Sequence, residues 1–183
     1  MRKVVASLFV SLDGVMEAPE RWHLPYFNDE MGAVIGEALS TTDAFLLGRR
    51  TYEEWAGYWP DQPVDDNPMA AAINGLPKYV ASTTLREVTW QNSQLLGDDV
   101  AGEVSKLKEQ PGKDLSISGS ATLVRSLLRD GLLDELRLMV HPVVLGSGGR
   151  LFENGTGQTP LELVESNTFG TGVLDLTYRP AGS

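Results

Sequence analysis

The chain has 183 residues, 42% hydrophobic and 22% charged, with a formal net charge of −10 and no cysteine. Such a length suits one domain, residues 1–183, with a sizeable core. The acid excess argues against nucleic acid or an anionic membrane as partner, and the lack of cysteine excludes disulfides, thiolate zinc sites and thiol nucleophiles.

Val4–Val10 is a nearly continuous apolar run, the pattern of a central strand covered on both faces. It superficially resembles a signal peptide after Met1-Arg2-Lys3. However, it is short and runs into Ser11-Leu12-Asp13-Gly14 rather than a small-residue cleavage site. No run approaches the roughly 18 apolar residues of a membrane span, so a cytoplasmic protein is expected. Residues 15–27 read as irregular. Asn28 caps a helix with Asp29 and Glu30 in its first turn and Met31, Val34, Ile35, Ala38 and Leu39 along one face. Ala44–Leu47 is a short strand, and Thr51–Trp55 starts a short helix. The prolines, glycine and aspartates of 57–75 predict a loop or lid.

Pro77–Ala81 reads as a strand, and Val88–Gln91 as another. Val100, Val104 and Leu107 mark a helix that Pro111-Gly112 ends. Leu115–Ile117 is a strand. After the turn at Ser118-Gly119-Ser120, a helix face of Leu123, Val124, Leu127 and Leu128 closes at Asp130-Gly131. Glu135–Val144 is a strand and Gly146–Gly149 a glycine-rich break. Leu161–Ser166 and Val173–Tyr178 form a closing antiparallel pair. This order predicts an α/β three-layer sandwich with a mostly parallel central sheet and an antiparallel C-terminal edge.

In such sheets ligands bind beyond the carboxyl ends of the strands. Four turns are expected there, 11–14, 48–51, 82–84 and 118–122, each bearing small polar residues, glycine or arginine. The turn Gly48-Arg49-Arg50-Thr51 suggests an anion site: a strand turns on glycine into a helix start, where free N–H groups and the helix dipole converge. Arginine adds a planar fork suited to phosphate. The competing reading pairs both arginines with Glu53 and Glu54 on the helix surface. His23 and His141, the two histidines, lie far apart in sequence, so no metal site is expected. Gly146-Ser147-Gly148-Gly149 does not complete a dinucleotide fingerprint, because Leu151 takes the third glycine position.

At these turns the chain resembles the dihydrofolate reductase fold, in the branch shared with the reductase domain of riboflavin biosynthesis. The resemblance rests on Val5-Ala6-Ser7, Ser11-Leu12-Asp13-Gly14, Gly48-Arg49-Arg50-Thr51, Ser82-Thr83, Ile117-Ser118-Gly119-Ser120-Ala121 and the long run His141-Pro142 to Leu151-Phe152. It implies NADPH as cofactor. Ala6 would lie beside the nicotinamide, and Gly48, Arg49, Arg50 and Thr51 would hold the pyrophosphate and 2′-phosphate. Ser82 and Thr83 would flank the adenosine, and Gly119, Ser120, Ala121 and Thr122 would lie under the pyrophosphate. Trp22, His23 and Phe27 would line the substrate pocket, and the proton would come from Asp13, from Glu30 or from a bound water. Two departures stand out. Phe27 takes the place at which bacterial dihydrofolate reductases carry the pterin-binding carboxylate after W-x-L-P, and Ser118-Gly119 stands for a glycine pair.

The expected activity is hydride transfer from NADPH to a planar heterocyclic, imine or carbonyl substrate, of pterin or ribosylaminopyrimidine type, with Lys78 or Arg150 as candidates for a substrate phosphate. The alternative is a non-catalytic nucleotide- or drug-binding module on the same fold. A homodimer is implied by the resemblance, with the apolar late strands as its interface.

Overall fold

The computed structural model of the chain describes residues 1–182. Eight strands form one sheet: β1 (Val4–Ser11), β2 (Thr42–Gly48), β3 (Lys78–Ala81), β4 (Ser93–Leu95), β5 (Asp114–Ile117), β6 (Glu135–His141), β7 (Leu161–Thr168) and β8 (Leu174–Pro180). Their order is β4-β3-β2-β5-β1-β6-β8-β7. The first six in this order run parallel, whereas β8 and β7 add on as an antiparallel edge.

Five α-helices cover the sheet: α1 (Asp29–Ser40), α2 (Arg49–Ala56), α3 (Pro68–Gly75), α4 (Val100–Glu109) and α5 (Ala121–Arg129). Val4, Ala6, Leu8 and Val10 of β1 pack with Val104 and Leu107 of α4 and Leu123, Val124, Leu127 and Leu128 of α5. On the other face Phe45, Leu47 and Val80 meet Tyr52 of α2 and Ile73 of α3, and Met31 of α1 meets Met139 with Phe9 alongside. Both faces are thus dry, which explains the nearly continuous apolar run in β1. Each such buried side chain contributes about 1.5–3 kcal/mol. The core therefore holds the strand ends rigidly in register.

Helix starts follow the capping chemistry of the sequence. Asn28 Oδ1 accepts from Met31 N–H at 3.0 Å, and Asp99 Oδ1 accepts from Gly102 N–H at 2.9 Å. Two expectations fail. Residues 57–75 are not all loop, because α3 occupies their second half. Its start was written in the chain as Asn67-Pro68: Asn67 Oδ1 accepts from Ala70 N–H at 3.1 Å, and proline sits in the first turn where no N–H is needed. Val88–Gln91 is not a strand, and the strand lies later, at Ser93–Leu95. The N–H groups of Thr89 and Trp90 both donate to the Tyr52 hydroxyl, at 3.0 and 3.1 Å, and are not free for a ladder. Asn92 then turns the chain with φ 58°. The strand expected to reach Val144 stops at His141, since Pro142 has no N–H to continue it. The described helix that starts near Thr51 begins two residues earlier, at Arg49, with Gly48 as its cap.

Candidate active site

Because β3, β2, β5 and β1 are adjacent and parallel, the turns that follow them lie side by side along one edge. Their order is 82–84, 48–51, 118–122, 11–14. At a strand spacing of about 4.8 Å the outer two stand roughly 14 Å apart, a span suited to an extended dinucleotide. The chain leaving β5 enters α5 on one face, while the chains leaving β2 and β1 go to α2 and α1 on the other. Such a reversal opens a crevice at the strand ends.

The middle two turns interlock. Gly48 N–H donates to Gly119 O at 3.2 Å. A Cβ on Gly48 would fall on the Ser120 hydroxyl, so glycine is needed there for close approach, not for its dihedral angles. Gly119 has φ 146°, and a Cβ on it would lie 2.5 Å from Thr51 Oγ1. The peptide between Gly119 and Ser120 is cis. Thr51 is buried against this turn.

No side chain caps the start of α2, so its first N–H groups are open to a ligand. At α5 the Ser120 hydroxyl accepts, among the described residues, from Leu123 N–H at 3.4 Å, which leaves the N–H groups of Ala121 and Thr122 at the very start of the helix. Arg50 is exposed and forms no ion pair among the described residues. Arg49 pairs with Glu53 at 2.8 Å, with both side chains about half exposed. An exposed pair of this kind is worth little and yields readily to a phosphate. Burial, reinforced by Glu20 and Glu17, pushes the Glu54 carboxyl above its usual range, so the arginines sit within an otherwise acidic surface. Ser82 shapes its own turn by accepting from Thr84 N–H and Leu85 N–H at 3.1 and 2.9 Å, with Thr83 exposed beside it. The Ala6 methyl is fully buried in the α4–α5 core, so only its backbone faces neighbouring strands.

The 11–14 turn is built from side chains. Asp13 accepts from the Ser11 hydroxyl at 2.6 Å, from Leu145 N–H at 3.1 Å and from Gly146 N–H at 2.9 Å. Arg150 adds a contact at 3.4 Å. Those donors, Ser11 foremost, hold the Asp13 carboxyl well below the usual carboxylate range. Four residues on, Glu17 accepts from Gly149 N–H at 2.6 Å, and Val15 bridges Arg150. The glycine-rich loop after β6 is therefore a clasp on residues 13–17, and the two signature segments of the sequence are one structure.

Beyond the clasp, residues 19–21 and 24–26 form single 3-10 turns that lay Trp22, His23, Tyr26 and Phe27 over the ends of β1 and β6. His23 stacks on Phe9, with centroids 4.7 Å apart and planes 10° apart. Trp22, Tyr26 and Phe9 meet the buried His141 ring edge-on at 5.1, 5.7 and 5.6 Å. Burial holds both imidazoles below their ordinary pKa, and for His23 the neighbouring His141 adds to it.

Several expected roles change. Asp13 is an anion stabilised by four neighbours, and hence a poor proton donor near neutral pH. Glu30 also serves as a brace: its Oε2 accepts from Gly170 N–H and Asn28 Nδ2 at 2.7 Å each, tying α1 to the β7–β8 turn. Lys78 is fully buried and donates to the carbonyls of Ile73, Asn74 and Leu76, so it closes the end of α3 and cannot reach a substrate phosphate. Burial pushes its ammonium down to about 8. Arg150 is committed to Asp13 through both its backbone oxygen, at 3.0 Å, and its carboxylate. Phe9, Glu17, Tyr26 and His141 join the site without having been singled out as site residues. The His-Pro pair was the signal for His141. Among the described residues no cluster of carboxylates and histidines stands ready to hold a metal.

The profile of the RibD C-terminal domain family matches residues 2–174. The uncharacterized protein YyaP of Bacillus subtilis (strain 168) is 34% identical over 183 residues, 97% of this chain and 95% of that one. A structure from Shewanella sp. PV-4, provisionally described as a riboflavin biosynthesis protein, superimposes with a TM-score of 0.79 at 21% identity, over 98% of this chain and 99% of that one. Dihydrofolate reductase from Enterococcus faecalis, complexed with NADP(H), superimposes with a TM-score of 0.65 at 15% identity, over 98% and 96%. These two likenesses speak for the fold alone.

Proposed function

This chain belongs to the RibD C-terminal domain family, and from that premise we propose that it is an NADPH-dependent reductase acting on a planar heterocycle with a C=N or C=O bond. The observation that carries the reading is the alignment of the 82–84, 48–51, 118–122 and 11–14 turns on adjacent parallel strands, with the uncapped start of α2 and its two arginines in their midst.

The residues present fit such a cofactor. Arg49 and Arg50 bind the 2′-phosphate, and the N–H groups at the starts of α2 and α5 bind the pyrophosphate. Gly48, Thr51, Gly119 and Ser120 bring the two helix starts together by their interlock. Ser82 and Thr83 border the adenosine, and the Ala6 backbone lies at the nicotinamide end. When bound, the reduced nicotinamide supplies a hydride. Trp22, His23 and Phe27 would line the pocket that receives the acceptor ring and keep water out. Asp13 fixes the wall of the pocket from its clasp, and the proton comes from water. Self-association through the β7 edge belongs to the same reading, supported by Leu163 and Val164, which are 54% and 55% exposed.

The test is NADPH oxidation, followed by absorbance, across pterins, ribosylaminopyrimidines and quinone-like compounds, with NADH in parallel. Turnover with any of them and a preference for NADPH is the expected result. Binding of NADPH with no oxidation across the panel supports the second reading, a nucleotide-binding module. That reading draws on one observation: the carboxylates of Asp13 and Glu30 are both occupied by backbone N–H groups.

A further inference from the structure

The two histidines of the chain come together under the aromatic cap, with ring centroids 6.2 Å apart. Each keeps one buried ring nitrogen without a partner among the described residues, His23 Nδ1 and His141 Nε2. His141 is wholly buried, and its Nδ1 lies 2.9 Å from the Met139 carbonyl. A carbonyl oxygen only accepts, so in the tautomer that donates from Nδ1 to Met139 the Nε2 atom is a lone pair; the Val10 carbonyl also bears on this ring. A buried acceptor left unpaired is costly, and native structures rarely keep one without a reason. A phenylalanine would pack among Phe9, Trp22 and Tyr26 without that cost.

The surroundings describe what would satisfy the lone pair. The rings of Phe9, Trp22, Tyr26 and His23 pack edge-on around the His141 ring, and no carboxylate or cation is among its ring contacts. His23 lies flat on Phe9, as a planar ligand would. His23 is half-buried and its side chain makes no hydrogen bond among the described residues. It sits between two single 3-10 turns. The Trp22 indole N–H donates to Glu17 O, at 3.0 Å.

We propose that His141 Nε2 is a substrate-positioning acceptor: it takes an N–H from a flat, neutral heterocycle that displaces His23 from the face of Phe9. The inference rests on the reductase reading and names the half of the site which that reading leaves open. It makes specificity a matter of ring N–H groups, read by an imidazole and not by a carboxylate.

The test uses the intact protein saturated with NADPH and labelled with nitrogen-15 at histidine. The probes are 5,6-diaminouracil, which has ring N–H donors, and its 1,3-dimethyl derivative, which lacks them. The His141 Nε2 resonance of an unprotonated nitrogen is expected to move on addition of the first and not the second. The first should also bind about ten-fold or more tightly. His141→Phe keeps a flat ring and should erase that difference, whereas His141→Gln, whose Oε1 accepts, should retain part of it. An unmoved Nε2 resonance, equal affinities in the wild type, or no binding of either ring compound overturns the proposal. The wild-type comparison decides it even if a variant does not fold. NADPH binding is read in the same samples: if NADPH binds and the ring effects are absent, this inference falls and the cofactor reading stands. If NADPH does not bind, the reductase reading falls, and the same titration without it decides the role of His141.

Discussion

The edge from β3 to β5 is made of backbone, and the edge from β1 to β6 is made of side chains. On the first, two glycines allow two helix starts to touch, and the polar surface is N–H groups with Arg49 and Arg50 added. On the second, Asp13 and Glu17 clasp a glycine-rich loop, and six rings crowd over the strand ends. Backbone donors recognise what every dinucleotide shares, a charged diphosphate. Side chains recognise what distinguishes one substrate from another. A single scaffold can therefore hold one half constant while the other varies.

The sharpest way to break this comparison is at Gly119. Its φ of 146° and the nearness of Thr51 Oγ1 leave no room for a Cβ. Gly119→Ala should cost about 1–3 kcal/mol in stability and lower NADPH affinity by about a hundred-fold or more, measured by calorimetry beside a denaturation curve. Unchanged affinity would mean that the interlocked turns do not form the cofactor site. Next comes Arg49→Ala, expected to weaken NADPH by roughly ten- to a hundred-fold and NADH much less; equal losses would remove Arg49 from the 2′-phosphate. Asp13→Asn should act on the other half. The clasp loosens and the thermal midpoint falls, while NADPH affinity stays within about two-fold, as expected for sites without shared partners. A loss of turnover at unchanged stability would instead restore Asp13 as a chemical participant.

The smallest effect concerns pH. Burial holds His23 and His141 below the ordinary histidine value of about 6.5 in the folded state. As pH falls through that value the unfolded chain takes up protons that the folded chain refuses, so stability drops toward acid and is restored above about 6.5. Urea midpoints at pH 7 and pH 5 should differ less for His23→Phe than for the wild type. An identical drop would place the acid sensitivity elsewhere.

The backbone half was the more legible in the sequence. Gly48-Arg49-Arg50-Thr51 and Ser118-Gly119-Ser120 are local patterns, and local patterns report on strand ends and helix starts. What they could not convey was that Gly48 and Gly119 exist for each other, because that contact joins turns some 70 residues apart. The side-chain half depends wholly on such distant pairings. The contacts of Asp13 come from Leu145 and Gly146, and those of His141 from His23, each far away in sequence. The missed helix α3 is a different case. Asn67-Pro68 announced it, but the prolines and aspartates before it masked the signal.

The most direct test of the whole account is a calorimetric titration of the wild-type protein with NADPH and with NADH. Saturable binding of NADPH at one site per chain, tighter than NADH by at least about ten-fold, is the predicted result. Binding of neither nucleotide would contradict the assignment of this edge to a cofactor.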